Sequence, residues 1–238
     1  MGTVTKIGCR LRGVRPARAV LVVAVLAAVA ATAAALIADN VLDADGLTGF
    51  DRPVLAWMVA HRAPVATAVA TGVTDAGGTI SMAVLAACVA AWLLWRGRRG
   101  SAVLVVLTAV GAAALVTLTK ALVSRVRPPV ALHLITETSA SFPSGHTLGS
   151  TAVIGVVTAV MVVAMHRGTG RIMLVTAAVT AVAAIGLSRL YLGVHWTTDV
   201  LEGWLIGGVW LVLCLGAAMW WSARQAPPVA GAAPGARP

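Results

Sequence analysis

Charge is scarce in this chain. Only 11% of its 238 residues are Asp, Glu, Lys or Arg, 59% are hydrophobic, and the mean hydropathy is +0.92. That shortage excludes a soluble domain of this length, which has no use for so much apolar surface. Acids are the scarcer sign, eight against eighteen basic residues, for a net charge of +10. Cysteine is limited to Cys9, Cys88 and Cys214, spaced for neither a disulfide framework nor a metal site, so all three read as small apolar residues. An HExxH helix is absent, and His146, His195 and Asp199 form no recognisable metal-ligand set. No metal or other cofactor is therefore expected. There is no RNA-binding signature and the basic residues are divided among separate loops, so nucleic acid is not an expected partner. The apolar stretches do not alternate with polar residues, which excludes a transmembrane barrel.

What is present is a series of runs rich in Ala, Val and Leu. A membrane-crossing helix needs about 20 mostly apolar residues, and six stretches qualify, at roughly 18–38, 79–95, 102–122, 146–165, 172–187 and 200–221. The expected fold is all-α: a polytopic membrane protein with six transmembrane helices in one bundle. The first run follows a basic segment as a signal peptide would, but at 19–38 it exceeds the usual length of about 7–15 residues and reads as a retained anchor. Residues 1–17 form a basic arm, 18–221 the membrane domain and 222–238 a Pro/Ala/Gly-rich tail expected to be disordered. Between 39 and 78 lies a segment whose apolar Val54, Leu55, Trp57, Met58 and Val59 suit either a short interfacial helix or a partly buried loop.

Six spans place both termini on one side. Twelve of the eighteen basic residues fall there and six on the other, among them Lys120, Arg125, Arg127 and Arg189. By the positive-inside rule the termini are cytoplasmic. The localisation that follows is a multi-pass plasma membrane protein. Trp92, Trp95, Trp220 and Trp221 close spans two and six at the cytoplasmic boundary, as interfacial anchors do. The pairs Gly145/Gly149 and Gly203/Gly207 have the small-xxx-small spacing of close helix contact, so spans four and six are expected to pack together.

Three polar clusters interrupt the apolar background: KALVSRVRP at 120–128, PSGH at 143–146 and SRLYLGVHWTTD at 188–199. Lys120 and Arg127 are seven residues apart and share a face if the helix extends that far. A lysine and an arginine offer a phosphate a point charge plus a planar fork. Ser144 stands where it would cap a helix, leaving its amide and those of Gly145 and His146 directed at an anion. His195 and Asp199, at i and i+4, would share a helical face, the carboxylate fixing the tautomer and leaving the other ring nitrogen nucleophilic. Arg189 would grip the phosphate from another side. Snorkelling and ordinary capping explain each cluster singly. Together they fall on one side of the membrane and abut span ends, which favours a shared site. His133, Glu137 and Thr138, in the intervening loop, are solvated groups or tuners of head-group choice.

The clusters resemble the K-x6-RP, PSGH and SR-x5-H-x3-D signature of the type-2 phosphatidic acid phosphatase family, which includes bacterial lipid pyrophosphate phosphatases and, more distantly, soluble vanadium haloperoxidases. The match holds at Lys120, Arg127, Pro128, Pro143, Ser144, Gly145, His146, Ser188, Arg189, His195 and Asp199, and the likeness spans about 50–208. The resemblance implies a metal-independent lipid phosphatase, and the charge distribution would turn its site outward. His195 would attack phosphorus, Asp199 would orient it, and His146 would protonate the leaving group and then activate water. Lys120, Arg127, Ser144, Gly145 and Arg189 would bind the phosphate. It implies a phosphorylated membrane lipid as partner: undecaprenyl pyrophosphate, phosphatidylglycerophosphate or phosphatidic acid. A phosphotransferase using a hydroxyl acceptor and a non-catalytic lipid-binding protein are the rival readings, and oligomeric state is not legible.

Overall fold

Hydrocarbon offers a peptide group no water to bond, so a chain this apolar must satisfy its backbone within helices. The computed structural model describes residues 16–43, 45–165 and 168–225, and among these there is no strand. In chain order the helices are α1 (Pro16–Asp43), α2 (Asp51–Ala60), α3 (Pro64–Ala76), α4 (Thr79–Trp95), α5 (Arg99–Val123), α6 (Gly145–Ala164), α7 (Thr169–Tyr191) and α8 (Thr197–Arg224). Short 3₁₀ turns lie at Gly46–Phe50 and Val130–Leu132. The 1–17 arm, apart from its last two residues, Arg167 and the tail from 226 onward lie outside the described residues.

Among the described residues, five helices are long and apolar enough to cross a membrane: α1 over Ala24–Asp43, then α5, α6, α7 and α8. The expected second span, 79–95, corresponds to α4, which has only 17 residues and reaches the required length only together with α3. The two meet at a 47° bend, the geometry of a broken span or of a re-entrant loop, in place of the expected straight helix. Pro64 opens α3, where a missing N–H costs nothing. The 39–78 segment is thus mostly helical, as α2 and α3. α7 runs past the expected 187 to Tyr191, because Arg189 is buried rather than marking a polar end.

Helices α6 and α8 form the centre. A Cβ on Gly203 would stand 2.8 Å from the Thr147 Cβ and 3.0 Å from the Ser144 carbonyl, and one on Gly207 would stand 2.8 Å from the Leu148 carbonyl. Close backbone approach therefore depends on these two glycines, as their spacing predicts. Gly149 does not share the role: nothing lies within 4 Å of its added Cβ. Leu93, Val105, Leu148 and Val156 fill the core without exposure, while Leu26, Ile80, Val103, Leu122 and Ile172 cover the outside. At one end Arg224 lies 3.9 Å over the Trp220 ring and Arg96 lies 5.7 Å over Trp92. At the opposite end the C-termini of α5 and α7 and the N-termini of α6 and α8 converge, and all three polar clusters meet there.

Candidate active site

Lys120 and Arg127 do come together, though not along a continuous helix. α5 stops at Val123 because Ser124 takes a left-handed conformation, φ 48°, with its N–H on the Lys120 carbonyl. Both side chains instead reach the next loop. Lys120 Nζ donates to Ser139 Oγ at 2.8 Å and the Ala140 carbonyl at 2.7 Å. Arg127 donates to the Ser139 carbonyl at 2.7 Å, the Val194 carbonyl at 2.6 Å and His195 Nε2 at 3.1 Å.

His195 and Asp199 are also paired by a different route from the expected helical face. α8 begins at Thr197, so His195 precedes it. Asp199, in the first turn, folds its carboxylate back to accept the Trp196 N–H at 2.9 Å and His195 Nδ1 at 3.2 Å. An arginine can only donate, so its contact with Nε2 leaves that nitrogen the acceptor and Nδ1 the protonated one. The Nε2 lone pair therefore points at Arg127, inside the cationic cluster. His195 is almost wholly buried, and burial pushes its pKa down to about 4, against the opposing pull of the Asp199 hydrogen bond and charge.

Behind this pair lies a network that sequence reasoning missed. Asp199 also accepts from Ser141 Oγ and, at 2.6 Å, from Arg125. Arg125 turns its other nitrogen to Asp51 of α2 at 2.7 Å. Asp51 in turn accepts the Thr198 N–H at 2.9 Å and the Thr198 hydroxyl at 2.8 Å. The only sequence hint was an acid and an arginine in a chain poor in charge.

Arg189 is fully buried at the end of α7 and donates to Thr74 of α3 at 2.8 Å. Its other terminal nitrogen bonds Glu137, whose second oxygen meets Arg127 at 3.4 Å. Glu137 thus belongs to the site rather than to a solvated loop. Burial alone would raise its pKa, but Arg189 and then Arg127 outweigh this and hold it below the usual carboxylate range. Ser144 occupies the N-cap position of α6 without a side-chain cap bond. Its hydroxyl accepts from Thr147 at 2.9 Å and its amide is committed to the Asp199 carbonyl at 3.0 Å. That amide is not free for an anion, unlike the expectation; the hydroxyl proton remains available. A Cβ on Gly145 would fall 3.1 Å from Val116 and 4.0 Å from Lys120 Cε, placing this glycine beneath the lysine. His146 is half-buried, in electrostatic reach of Arg189, Glu137, His195 and Lys120, and its ring has no hydrogen-bond partner among the described residues.

A cleft of about 430 Å³ leads away from Gly77 and Gly145 between α4, α5 and α6, past Ala109 to Val106 and Val153. Its walls are almost entirely apolar. No group of three or more His, Cys, Asp or Glu able to hold a metal occurs among the described residues.

Three cations, two histidines and a buried aspartate thus gather at one end of the bundle, beside Gly145, which also lines the apolar cleft. Residues 101–223 match the PAP2 superfamily. The chain is 30% identical to phosphatidylglycerophosphatase B of Bacillus subtilis (strain 168), over 72% of its own length and 85% of the relative's. It is similar to the crystal structure of the first transmembrane PAP2-type phosphatidylglycerolphosphate phosphatase from Bacillus subtilis, with a TM-score of 0.70 and 27% identity, covering 78% of this chain and 94% of that one. It also shares its fold with Aquifex aeolicus LpxE, with a TM-score of 0.54 and 20% identity, covering 72% and 95% of the two chains. The chain belongs to the PAP2 superfamily, as a multi-pass membrane enzyme that hydrolyses lipid phosphates.

Proposed function

We propose that the protein removes a terminal phosphate from a membrane lipid, without a metal, through a phosphohistidine at His195. The observation that carries this is the Nε2 lone pair of His195, kept unprotonated and directed at Arg127, with Arg189 also in electrostatic reach. Nε2 forms a bond to phosphorus as the bond to the leaving oxygen breaks. Asp199 stabilises the imidazolium that results, as the acid does in a Ser-His-Asp triad. His146 donates a proton to the leaving oxygen, then takes one from the water that breaks the N–P bond, a role worth about 10²–10⁴-fold. Lys120, Arg127, Arg189, the Ser144 hydroxyl and the Gly145 amide hold the phosphoryl oxygens. Preorganised charge of this kind is usually the largest contribution to catalysis, and three cations supply the neutralisation that a metal gives elsewhere.

The basic residues at the far end of the bundle support an orientation with cytoplasmic termini and the site facing outward. The apolar cleft suits one hydrocarbon chain of a lipid in that leaflet. Phosphatidylglycerophosphate is the first substrate to try, since the 30% identical relative is a phosphatidylglycerophosphatase; undecaprenyl pyrophosphate and phosphatidic acid present the same reacting group. The test is phosphate release by purified protein in EDTA from all three lipids, with His195→Ala alongside. Release that disappears in the variant, with an acid-labile phosphoprotein trapped on wild-type protein alone, is the expected result. Undiminished release by His195→Ala overturns the scheme.

A further inference from the structure

The phosphate site is filled by the protein itself. One carboxylate, Glu137, spans Arg127 and Arg189, the two guanidinium groups that a phosphate must engage. Lys120 meanwhile rests on neutral acceptors, Ser139 Oγ and the Ala140 carbonyl. Taking the phosphatase function as given, we propose that Glu137 is a specificity-determining residue. It holds the site against the singly charged phosphodiesters of the surrounding bilayer and yields to a phosphate carrying two negative charges.

A site that opens to a membrane meets phosphodiester head groups in large excess, and three clustered cations would bind them. A diester brings one negative charge, so replacing Glu137 with it trades one anion for another and gains no Coulomb energy. A phosphomonoester carries about −1.5 to −2 at neutral pH and three acceptor oxygens. It can satisfy both arginines and still give Lys120 a direct contact with an anion. The displaced carboxylate has somewhere to go: a cleft of about 240 Å³ on the same loop, lined by Glu137 with Val130, His133 and Thr136. The base of that loop stays fixed, because Arg62 donates to the Leu132 carbonyl at 2.8 Å and the Leu134 N–H to the Leu192 carbonyl at 3.0 Å. Exchange then requires movement of the Glu137 side chain and its neighbours alone.

The experiment measures inhibition of lipid-phosphate hydrolysis in detergent micelles by phosphatidylmethanol, a plain singly charged phosphodiester, with diacylglycerol added to hold surface dilution constant. Inorganic phosphate is titrated in a parallel arm. Ligand affinity falls by the fraction of time a site is competent, so Glu137→Gln should lower the inhibitory concentration of phosphatidylmethanol by about tenfold or more. It should lower that of inorganic phosphate less, and Glu137→Asp should stay near wild type. If the Gln variant does not turn over, calorimetric binding of inorganic phosphate, with and without phosphatidylmethanol, reads the same competition. Equal sensitivity of wild type and Glu137→Gln to the diester overturns the role of Glu137 while leaving the phosphatase intact. A wild type that releases no phosphate from any lipid overturns the phosphatase function instead.

Discussion

Asp199 and Glu137 are the two carboxylates of the site, and they are held differently. Asp199 is closed to solvent and accepts from His195, Trp196, Ser141 and Arg125. Behind it Asp51 neutralises Arg125 and pins the start of α8 through Thr198. Glu137 keeps a 21% exposed side chain, has two arginines as its hydrogen-bond partners among the described residues and sits on a loop beside an open cleft. A carboxylate with both oxygens engaged and four donors around it has one geometry, which suits the proposed orienter of a nucleophile. A carboxylate paired with the arginines proposed to bind phosphate can be replaced. In the proposed scheme the histidine side stays and the phosphate side exchanges.

That contrast is broken most severely from the histidine side. Asp199→Asn keeps the shape but loses the charge and allows the wrong tautomer. The comparable change in a serine-protease triad costs about 10⁴ in kcat, and a loss of that order is expected here with KM little changed. Lys120→Met, on the phosphate side, should cost about 10²-fold, the scale of one lost transition-state donor, and should raise KM as well. Steady-state kinetics on one lipid separates the two patterns. Matching kcat and KM effects in both variants would mean the halves are not distinct.

The next test concerns the support behind Asp199. Arg125→Gln leaves Asp51 and Asp199 buried without their shared cation, and breaking a buried pair typically costs about 3–5 kcal/mol. Adding Asp51→Asn removes one of the stranded charges. The double variant should therefore recover stability and turnover relative to Arg125→Gln, with a coupling of about 1–3 kcal/mol. Thermal unfolding in detergent and kcat measured together check this. Losses that simply add would mean that Asp51 and Arg125 do not act as one electrostatic unit.

The polar clusters were legible because an ionisable group in an apolar chain stands out, so Lys120, Arg127, His146, Arg189, His195 and Asp199 could be gathered from spacing and family likeness. The routes by which they meet were not. Ser124 turns left-handed where a regular helix was extrapolated, and α8 starts two residues after His195. Asp51 reaches Arg125 across 74 positions of sequence, a distance over which periodicity carries no information. Glu137 looked like a loop acid because loops are where acids usually sit; only the fold brings two arginines to it. The helical class and the packing of α6 on α8 followed from composition and from Gly203 and Gly207. The bend between α3 and α4 did not, since hydropathy averages across a bend.

pH separates the two halves with the smallest effect but without altering the fold. The proposed nucleophile is neutral His195, and burial lowers its pKa to about 4. A lowered pKa extends the neutral form to lower pH, so protonation of His195 should reduce kcat/KM only as the pH nears about 4, not at the ordinary histidine value of about 6.5. The phosphate side adds its own limb. If Glu137 admits only a dianion, kcat/KM for a phosphomonoester lipid must also fall below the substrate's second ionisation, at about 6. Wild-type protein should show both limbs, and Glu137→Gln should soften the upper one while leaving the lower in place. A single limb near 6.5, unmoved by Glu137→Gln, would mean that His195 titrates as a solvated histidine and that the site does not select its substrate by charge.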